Sequence, residues 1–419
     1  MNKLTSLLNN RFTPYILLGI GIIYVSIEAN RMGDFHLFLK AAERMGDKGD
    51  IYGTTYIDGF HYYYSPLFAS ILSCFTHLPY YVPKLIWLLF NLFFVYRIYK
   101  IVPEYLNLSS LSANQRTAFW LLSTALVLRF TLINMHVIQM TIFLVYALLE
   151  GIHLIDRKKE VKGAMLLALA INIKIMPIVI IPWLLYRKHF KACIYTVLFY
   201  LLYLLIPALY IGWQYNMELH ASWWKLINPS HKEHLIDVDE AELHSVTTWL
   251  PTLLMENARC GADLMLKRNI ANLPVETVVC IIQGVRIVLL ALVFYFLRSL
   301  PFRNVQSHLQ QWWELSYIFL ITPLIFPHQQ FYAFLFMLPA FFYLAYFFVF
   351  RGNKDKILLV GLCIVFILTS FIGGTLGFLR DISSHYKLIT YGSLITVGLL
   401  AYYRPSFIEG YQYTLNKAE

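Results

Sequence analysis

The sequence predicts an all-α protein that crosses a membrane about twelve times, a fold class that rests on three observations. First, 58% of the 419 residues are hydrophobic and 14% are charged, whereas soluble domains carry about 25% charged residues. Second, apolar runs of membrane length recur along the chain. Third, the basic residues gather in alternate short loops between these runs, as the positive-inside rule requires. We therefore expect one integral membrane domain over residues 1–419, and we do not interpret the net charge of +10 as a sign of nucleic-acid binding.

The apolar runs define the individual spans. The first run follows Lys3 and Arg11 without an A-x-A cleavage site, so we expect a retained span and not a removed signal. The runs at or near membrane length are residues 14–28, 83–101, 117–130, 136–155, 190–211, 275–297, 313–326, 331–350, 356–372 and 386–403.

Two further segments need separate interpretations. Residues 163–187 are interrupted at Lys174-Ile175-Met176-Pro177. Pro177 disfavours a continuous helix, and Lys174 would be costly at the bilayer centre. We therefore predict a hairpin of two short spans with Lys174 at the surface. Residues 66–79 are too short to span comfortably, and we predict a re-entrant or interfacial helix there.

Loop charges orient the spans. The two long loops, residues 28–65 and 212–274, are both net negative. With both termini in the cytoplasm, both long loops lie outside and every positive loop lies inside. We therefore expect a bacterial inner or plasma membrane protein whose functional side faces the periplasm or the exterior. The net-positive loops are residues 97–116, 156–162, 187–191, 298–312 and 351–356.

This topology gathers the polar residues at the outer face. Asp34 follows the first span directly, and a carboxylate held at the mouth of a membrane bundle indicates a functional site. We take Asp34 as a candidate general base. We expect Arg380 and Asp381 to form a local ion pair in the last outer loop. The other polar residues at this face are His61, Arg129, Asn134, His136, Lys174, His328, Gln329 and His385.

Several stretches, in order and spacing, resemble the GT-C glycosyltransferases and come closest to glycosyltransferase family 87. The first runs from Gly33-Asp34-Phe35-His36 to Tyr63-Tyr64-Ser65-Pro66-Leu67-Phe68. The second, Arg129 to Met140, is similar to the family's Gly-Gln segment, although Ile138 stands where Gly is usual before Gln139. The third is Gly163-x-x-x-Leu167-Ala168-x-Ala170-x-x-x-Lys174-x-x-Pro177.

The resemblance implies an inverting glycosyltransferase that moves a sugar, mannose above all, from a polyprenyl phosphate to a hydroxyl of a lipid or glycan acceptor. Such a reaction needs a carboxylate to take the acceptor proton and cations or donors where the phosphate leaves. The resemblance assigns these roles to Asp34 as base, and to Lys174, Arg129 and His328 at the phosphate. Gln139 and Tyr64 are expected beside the donor sugar. The acceptor is expected under loop 212–274, which contains Trp213, Trp223, Trp224 and Trp249. We expect no metal and no cofactor.

Structural interpretations of the same residues stay open. Asp34 could serve only as a carboxylate at a helix N-terminus. Lys174 and Arg129 could be interface anchors, His328 an interfacial histidine, and Gln139 a hydrogen bond between helices. Two other functions also stay open, a polysaccharide polymerase or ligase that uses lipid-linked sugars, and a lipid or sugar transporter. A transporter would favour repeated halves and charged residues near the bilayer midplane, and the sequence shows neither.

Overall fold

The protein is all-α, as the sequence predicts. The structure, a computed structural model, describes residues 12–56, 59–229, 232–238, 240–259, 264–305, 307–351, 354–372, 377–406 and 408. Within these ranges the chain forms helices and no strands, and one isolated β-bridge joins Leu243 to Gln330. Cys260 and Asp58, which belong to the two long loops, lie outside the described residues.

The helices follow the predicted apolar runs closely. Two 3-10 segments, Met176–Val179 and Phe331–Met337, and a π-helical turn, Ile367–Phe371, complete them. In chain order the α-helices are α1 (Thr13–Glu28), α2 (Asp34–Gly46), α3 (Pro66–Ser73), α4 (Tyr81–Tyr105), α5 (Ala113–His136), α6 (Thr141–Asp156), α7 (Glu160–Ile173), α8 (Ile180–Tyr186), α9 (Phe190–Leu205), α10 (Ala208–Ile211), α11 (Trp213–Ile227), α12 (Lys232–Leu235), α13 (Val246–Leu254), α14 (Val275–Ala291), α15 (Val293–Leu297), α16 (His308–Ile325), α17 (Leu338–Phe350), α18 (Lys356–Phe366), α19 (Gly377–His385) and α20 (Leu388–Tyr402).

Membrane crossing is supported by length and composition. Among the described residues, five helices are long and apolar enough to cross a bilayer. Shorter apolar helices in the described part of the chain are Tyr15–Glu28, Met176–Tyr186, Lys356–Phe371 and Leu388–Tyr402, and the count of about twelve spans stays a prediction. The five are Tyr81–Tyr105, Ala113–His136, Phe190–Ile211, Val275–Leu297 and Phe331–Phe350.

The segment Phe331–Phe350 is the central helix of the bundle. Its most apolar window is 94% buried by the rest of the protein, whereas the corresponding window of Val275–Leu297 is 17% buried. A helix that is apolar on all sides and buried on all sides belongs to the interior of a large bundle. The start of this central helix is therefore held in place by its neighbours, and the side chains of a site can pack against it.

The predicted hairpin at Lys174 is present. Helix α7 ends at Ile173, Lys174 is extended, and the 3-10 turn begins at Met176. Before the hairpin, Asp156 accepts a hydrogen bond of 2.8 Å from Gln311. After it, Arg187 pairs with Glu314, one turn further along α16. Both ends of the hairpin thus lie at the same end of α16, and the chain turns back at Lys174.

The segment 66–79 does not span. Helix α3 has 8 residues, or about 12 Å at 1.5 Å per residue, against a hydrocarbon core of about 30 Å. Ser65 caps it by accepting a bond from the Phe68 backbone N–H, and α3 packs against α2. Whether α3 is re-entrant or interfacial remains a prediction.

One predicted helix end is wrong. The run 117–130 was expected to stop beside Arg129, but α5 continues to His136. No residue that breaks helices occurs before His136, and the turn comes only at Ile138, which has a φ of +55°. Arg129 therefore lies about two turns inside the helix, not at its end.

Candidate functional site

All six residues expected in the site line one cavity of about 1230 Å³. The cavity lies where α2, the turn after α5, the apex at Lys174 and the start of the central helix meet. Sequence separation within the set is large, so the fold and not local structure brings these residues together. The six are Asp34, Tyr64, Arg129, Gln139, Lys174 and His328.

Asp34 is the first residue of α2, where the helix dipole favours a carboxylate. Its backbone N–H donates to the Val137 carbonyl at 2.9 Å. The preceding Gly33 lies so close to this turn that a Cβ atom there would come within 2.8 Å of the Val137 oxygen. Glycine at position 33 therefore permits the close approach that places Asp34 on the turn.

Gln139 holds the Asp34 carboxylate. Its side-chain Nε2 donates to Asp34 Oδ2, and its Oε1 accepts a bond of 2.7 Å from the Tyr64 hydroxyl. The turn that presents Gln139 requires Ile138 in the left-handed region, at a φ of +55°. That conformation is rare for a β-branched residue and natural for the glycine found there in the resembled family. Tyr64, Gln139 and Asp34 thus form one chain of hydrogen bonds.

Lys174 faces the same chain from the hairpin apex. Its Nζ lies 5.4 Å from the centroid of the Tyr64 ring and 5.9 Å from that of Tyr332, both within the range of cation–π attraction. Burial lowers the pKa of Lys174 to about 8, and the charge of Asp34 acts in the opposite direction. With that pKa, Lys174 carries a positive charge at neutral pH and loses it as the pH rises past about 8.

His328 lies in the turn between α16 and the central helix, with a φ of +54°. Its backbone N–H donates to Asp237 Oδ2 at 2.7 Å, and its Nδ1 is 3.0 Å from the same oxygen. The ring also lies 5.2 Å from the Tyr63 ring, centroid to centroid. Loop 212–274 therefore holds His328 in place through Asp237.

Arg129 and Arg380 converge on one aromatic ring. The Arg129 guanidinium lies 6.0 Å and that of Arg380 5.9 Å from the Phe331 centroid. Arg129 also donates to the Thr369 carbonyl. Arg380 pairs with Glu242, so the predicted local pair with Asp381 is wrong. Both arginines line the cavity together with Glu242, so Arg129 adds positive charge to its wall while Arg380 is neutralised by its ion pair.

The structure adds residues that the sequence reasoning missed. Asp237 is fully buried beneath His328, and Arg286 lines the cavity from α14, where it donates to the His234 carbonyl at 3.3 Å. Signals for both exist. Arg286 is a basic residue inside an apolar run whose other charge, Glu276, lies near its start, and Asp237 belongs to the acidic stretch 237–242 of loop 212–274.

The tryptophans of loop 212–274 separate into different roles. Trp224 lines the cavity. Trp213 is exposed and is not a lining residue. Trp223 is buried and donates to the Tyr63 carbonyl at 3.2 Å, while Trp249 packs edge-on against Tyr391. Only the expectation for Trp224 matches the geometry of a cavity wall.

Part of the cavity lining is an exposed apolar wall. Its residues line the cavity and are exposed on the surface of the bundle at the same time. They come from α5, the hairpin apex, α14 and the π-helical turn, and they are Leu128, Leu132, Ile178, Leu290 and Phe371. Among the described residues, no group of three or more His, Cys, Asp or Glu side chains is placed to hold a metal ion.

Comparison with known proteins identifies the family. A model of glycosyltransferase family 87 matches residues 62–323. The match includes Tyr64, Arg129, Gln139 and Lys174, whereas Asp34 and His328 lie outside it and join the site only in the folded structure. Neither the curated proteins nor the solved structures returned a match. With well over half of its length matched, this chain belongs to glycosyltransferase family 87.

Proposed function

We propose that the protein is an inverting glycosyltransferase that moves a sugar, mannose first, from a polyprenyl phosphate to a hydroxyl of a lipid or glycan acceptor. The observation that carries the proposal is the single cavity in which Asp34, fixed by Gln139, faces Lys174. Family membership supports sugar transfer over transport. The polymerase or ligase alternative has no separate observation in its favour.

Asp34 is the proposed base. As the acceptor oxygen attacks C1 of the sugar, its proton passes to the Asp34 carboxylate. A new C1–O bond forms on one face while the C1–O bond to phosphate breaks on the other, and the bonding pair leaves with the phosphate. General base catalysis requires a carboxylate held in one orientation. The bond from Gln139 Nε2 and the backbone bond to Val137 hold Asp34 in that way.

The proposed phosphate site is the cationic wall. Charge grows on the phosphate oxygens as the C1–O bond breaks, and fixed cations stabilise that charge in the transition state. Lys174, Arg129 and His328 all line the cavity with Asp34. Gln139 and Tyr64, which are nearly fully buried, are proposed to contact the donor sugar with the parts of their side chains that line the cavity.

The exposed apolar wall supports a lipid-linked donor. A prenyl chain can lie between Leu128 and Leu132 of α5 and Leu290 of α14 while its phosphate reaches the polar interior. A prenyl chain in the bilayer is already out of water, so it contacts this wall by van der Waals packing and without a hydrophobic driving force, and it needs a side entrance. The acceptor hydroxyl is proposed to enter from loop 212–274, beside Trp224.

The proposed location is the outer face of a bacterial inner or plasma membrane. The cavity lies at the end of the bundle that contains the two acidic loops. The other end contains loops 156–162 and 187–191, whose sequences are net positive. Cytoplasmic loops are typically the positive ones, which supports this orientation.

A transfer assay tests the function. Purified protein in detergent is given radiolabelled polyprenyl-phosphate mannose and a membrane lipid extract. Wild type is expected to form a labelled product, and Asp34→Asn to lose about 10²–10⁴-fold in rate, the range of general base catalysis. Asp50→Asn is the matched control, because Asp50 lies in the same loop, does not line the cavity, and accepts hydrogen bonds from the backbone N–H groups of Tyr52 and Gly53.

Equal rates for wild type and Asp34→Asn would remove Asp34 from catalysis. If wild type transfers no mannose, donors with glucose, galactose and arabinose decide whether the sugar or the reaction class is wrong.

A further inference from the structure

His328 is held by one buried carboxylate at two points. Asp237 Oδ2 accepts the His328 backbone N–H at 2.7 Å and lies 3.0 Å from the His328 Nδ1. Asp237 itself is fully buried, and its backbone N–H donates to the Thr247 carbonyl at 3.0 Å. A residue far along the chain therefore fixes both the main chain and the ring of His328.

The backbone of His328 needs this support. A φ of +54° is uncommon for a residue with a side chain, and such conformations persist when the surroundings determine them. The bond from the His328 N–H to Asp237 supplies that determination. Without it, the turn that carries the ring into the cavity wall would keep its bond from the His244 N–H to the Gln329 carbonyl at 2.9 Å but would lose the bond at His328 itself.

The charge of Asp237 determines which atom of the Asp237–His328 pair carries the proton. A fully buried carboxylate is stable only when it is paired and hydrogen-bonded, and Asp237 Oδ1 has no partner among the described residues. The facing base is His328, and an ionised carboxylate can only accept, so Nδ1 must carry the proton. His234 and Tyr63 pack against the ring at 5.3 and 5.2 Å between centroids. Glu240 lies nearby, and burial raises its pKa.

We propose that Asp237 is the positioning residue for His328: it fixes the orientation of the ring and favours its cationic form in the cavity that receives the donor phosphate. This inference rests on the proposed function, because it gives His328 a leaving phosphate to meet. It also gives loop 212–274 a part in the transfer step, in addition to covering the acceptor.

The test compares Asp237→Asn, His328→Gln and the double variant in the mannose transfer assay. Asparagine keeps the shape and one acceptor oxygen but removes the charge. Asp237→Asn is expected to lower kcat by about tenfold to 100-fold, because the hydrogen bond to the His328 ring loses its charge, with a much smaller change in KM for the donor. In the His328→Gln background the same substitution is expected to cost less than about threefold, because the effects of substitutions at two contacting residues are not additive.

A second readout does not require turnover. Polyprenyl phosphate, without a sugar, is added to each purified variant and the shift in its melting temperature is measured. Wild type is expected to be stabilised, and Asp237→Asn and His328→Gln to lose most of that shift. Glu218→Gln is the matched control, because Glu218 is an exposed acid of the same loop that does not line the cavity. It is expected to behave as wild type in both assays.

The outcomes separate the two proposals. Absence of transfer by wild type counts against the proposed function. Transfer by wild type with an unchanged Asp237→Asn, or with additive losses in the double variant, overturns the role of Asp237. If Asp237→Asn does not fold, Asp237→Glu replaces it, and wild-type transfer by a folded Asp237→Glu overturns the proposal, because fixed placement needs the shorter side chain. Failure of both variants to fold would assign Asp237 to stability alone and overturn it equally.

Discussion

The side-chain amide of Gln139 donates to the Asp34 carboxylate while its oxygen accepts from the hydroxyl of Tyr64. The same oxygen also accepts the Met140 backbone N–H at 3.2 Å, and Trp87 donates to the Gln139 carbonyl at 3.3 Å. The amide can therefore not turn over without breaking several bonds. The Gln139 side chain that orients Asp34 is thus itself held by the Tyr64 hydroxyl and the Met140 N–H, while Trp87 holds the Gln139 backbone.

Gln139→Met is expected to lower kcat by about 10–100-fold, because a hydrogen bond to a charged group contributes about 1.5–3 kcal/mol. Methionine has a similar volume, so the fold should survive. The rate of mannose transfer measures the effect. Gln115→Met is the control, since Gln115 caps the other end of α5 and does not line the cavity. A rate for Gln139→Met equal to that of Gln115→Met would contradict the orienting role.

Tyr64→Phe is expected to reduce transfer by about twofold to tenfold, in line with the ~0.5–1.5 kcal/mol of one neutral hydrogen bond. Tyr62→Phe is a close control. Both tyrosines are buried, but the Tyr62 hydroxyl donates to the Ser65 carbonyl at 3.0 Å and not to Gln139. Tyr62→Phe should lower the melting temperature and leave kcat near that of wild type. Matching kcat losses in the two variants would show that the effect is general and not transmitted by Gln139.

Gly33→Ala is expected to reduce transfer strongly while the protein still folds. A Cβ atom at position 33 would meet the Val137 carbonyl at 2.8 Å, so the start of α2 must move and carry Asp34 with it. A displacement of about 1 Å can cost on the order of 100-fold in rate. Gly46→Ala at the other end of α2 meets nothing within 4 Å and should be active. Full activity in Gly33→Ala would show that the position of Asp34 is not critical.

The rate at low donor concentration should fall as the pH rises past about 8. Burial lowers the pKa of Lys174 to about 8, so the free protein loses this cation above that pH, and kcat/KM reports groups of the free enzyme. Lys174→Arg remains protonated at all accessible pH values and should move the alkaline limb upward, whatever its absolute rate. A limb at the same pH in both proteins would assign the titration to another group.

Arg187→Met is expected to lower the apparent melting temperature more than Arg187→Met/Glu314→Leu. Arg187 and Glu314 are both buried and bonded to each other at the end of the bundle opposite the cavity. Removing one partner leaves a buried charge, a loss of about 3–5 kcal/mol, whereas removing both is often close to neutral. Thermal unfolding in detergent measures it. Equal losses for the single and double variants would mean that Glu314 is stabilised without Arg187.

Local signals predicted the parts of the site that lie at helix breaks. Pro177 and Lys174 together predicted the hairpin, because proline and charge both disfavour a continuous span. Asp34 was found from its position after the first apolar run, whereas Gln139 lies inside the predicted run 136–155 and was found from the family resemblance. Lys174 follows the end of one helix and Asp34 begins another, so the signals of these two residues are visible in the sequence.

Long-range pairs gave no such signal. His328 and Asp237 are 91 residues apart, and Arg380 and Glu242 are 138 apart. Asp381 is next to Arg380 in sequence, but neighbouring side chains on a helix such as α19 point in different directions. The choice of partner depends on how loop 212–274 folds over the bundle, which neither apolar periodicity nor loop charge describes.

The exposed apolar wall at Leu128, Leu132 and Leu290 decides in which phase the donor concentration of this enzyme has to be measured. A donor that reaches Asp34 past this wall is dissolved in the bilayer and not in water. Its effective concentration is then its mole fraction among the surrounding lipids or detergent molecules. Adding detergent at a fixed amount of donor should slow transfer by surface dilution alone, and a KM given in molar units will change with every micelle. Kinetics on this protein are best compared in mole per cent.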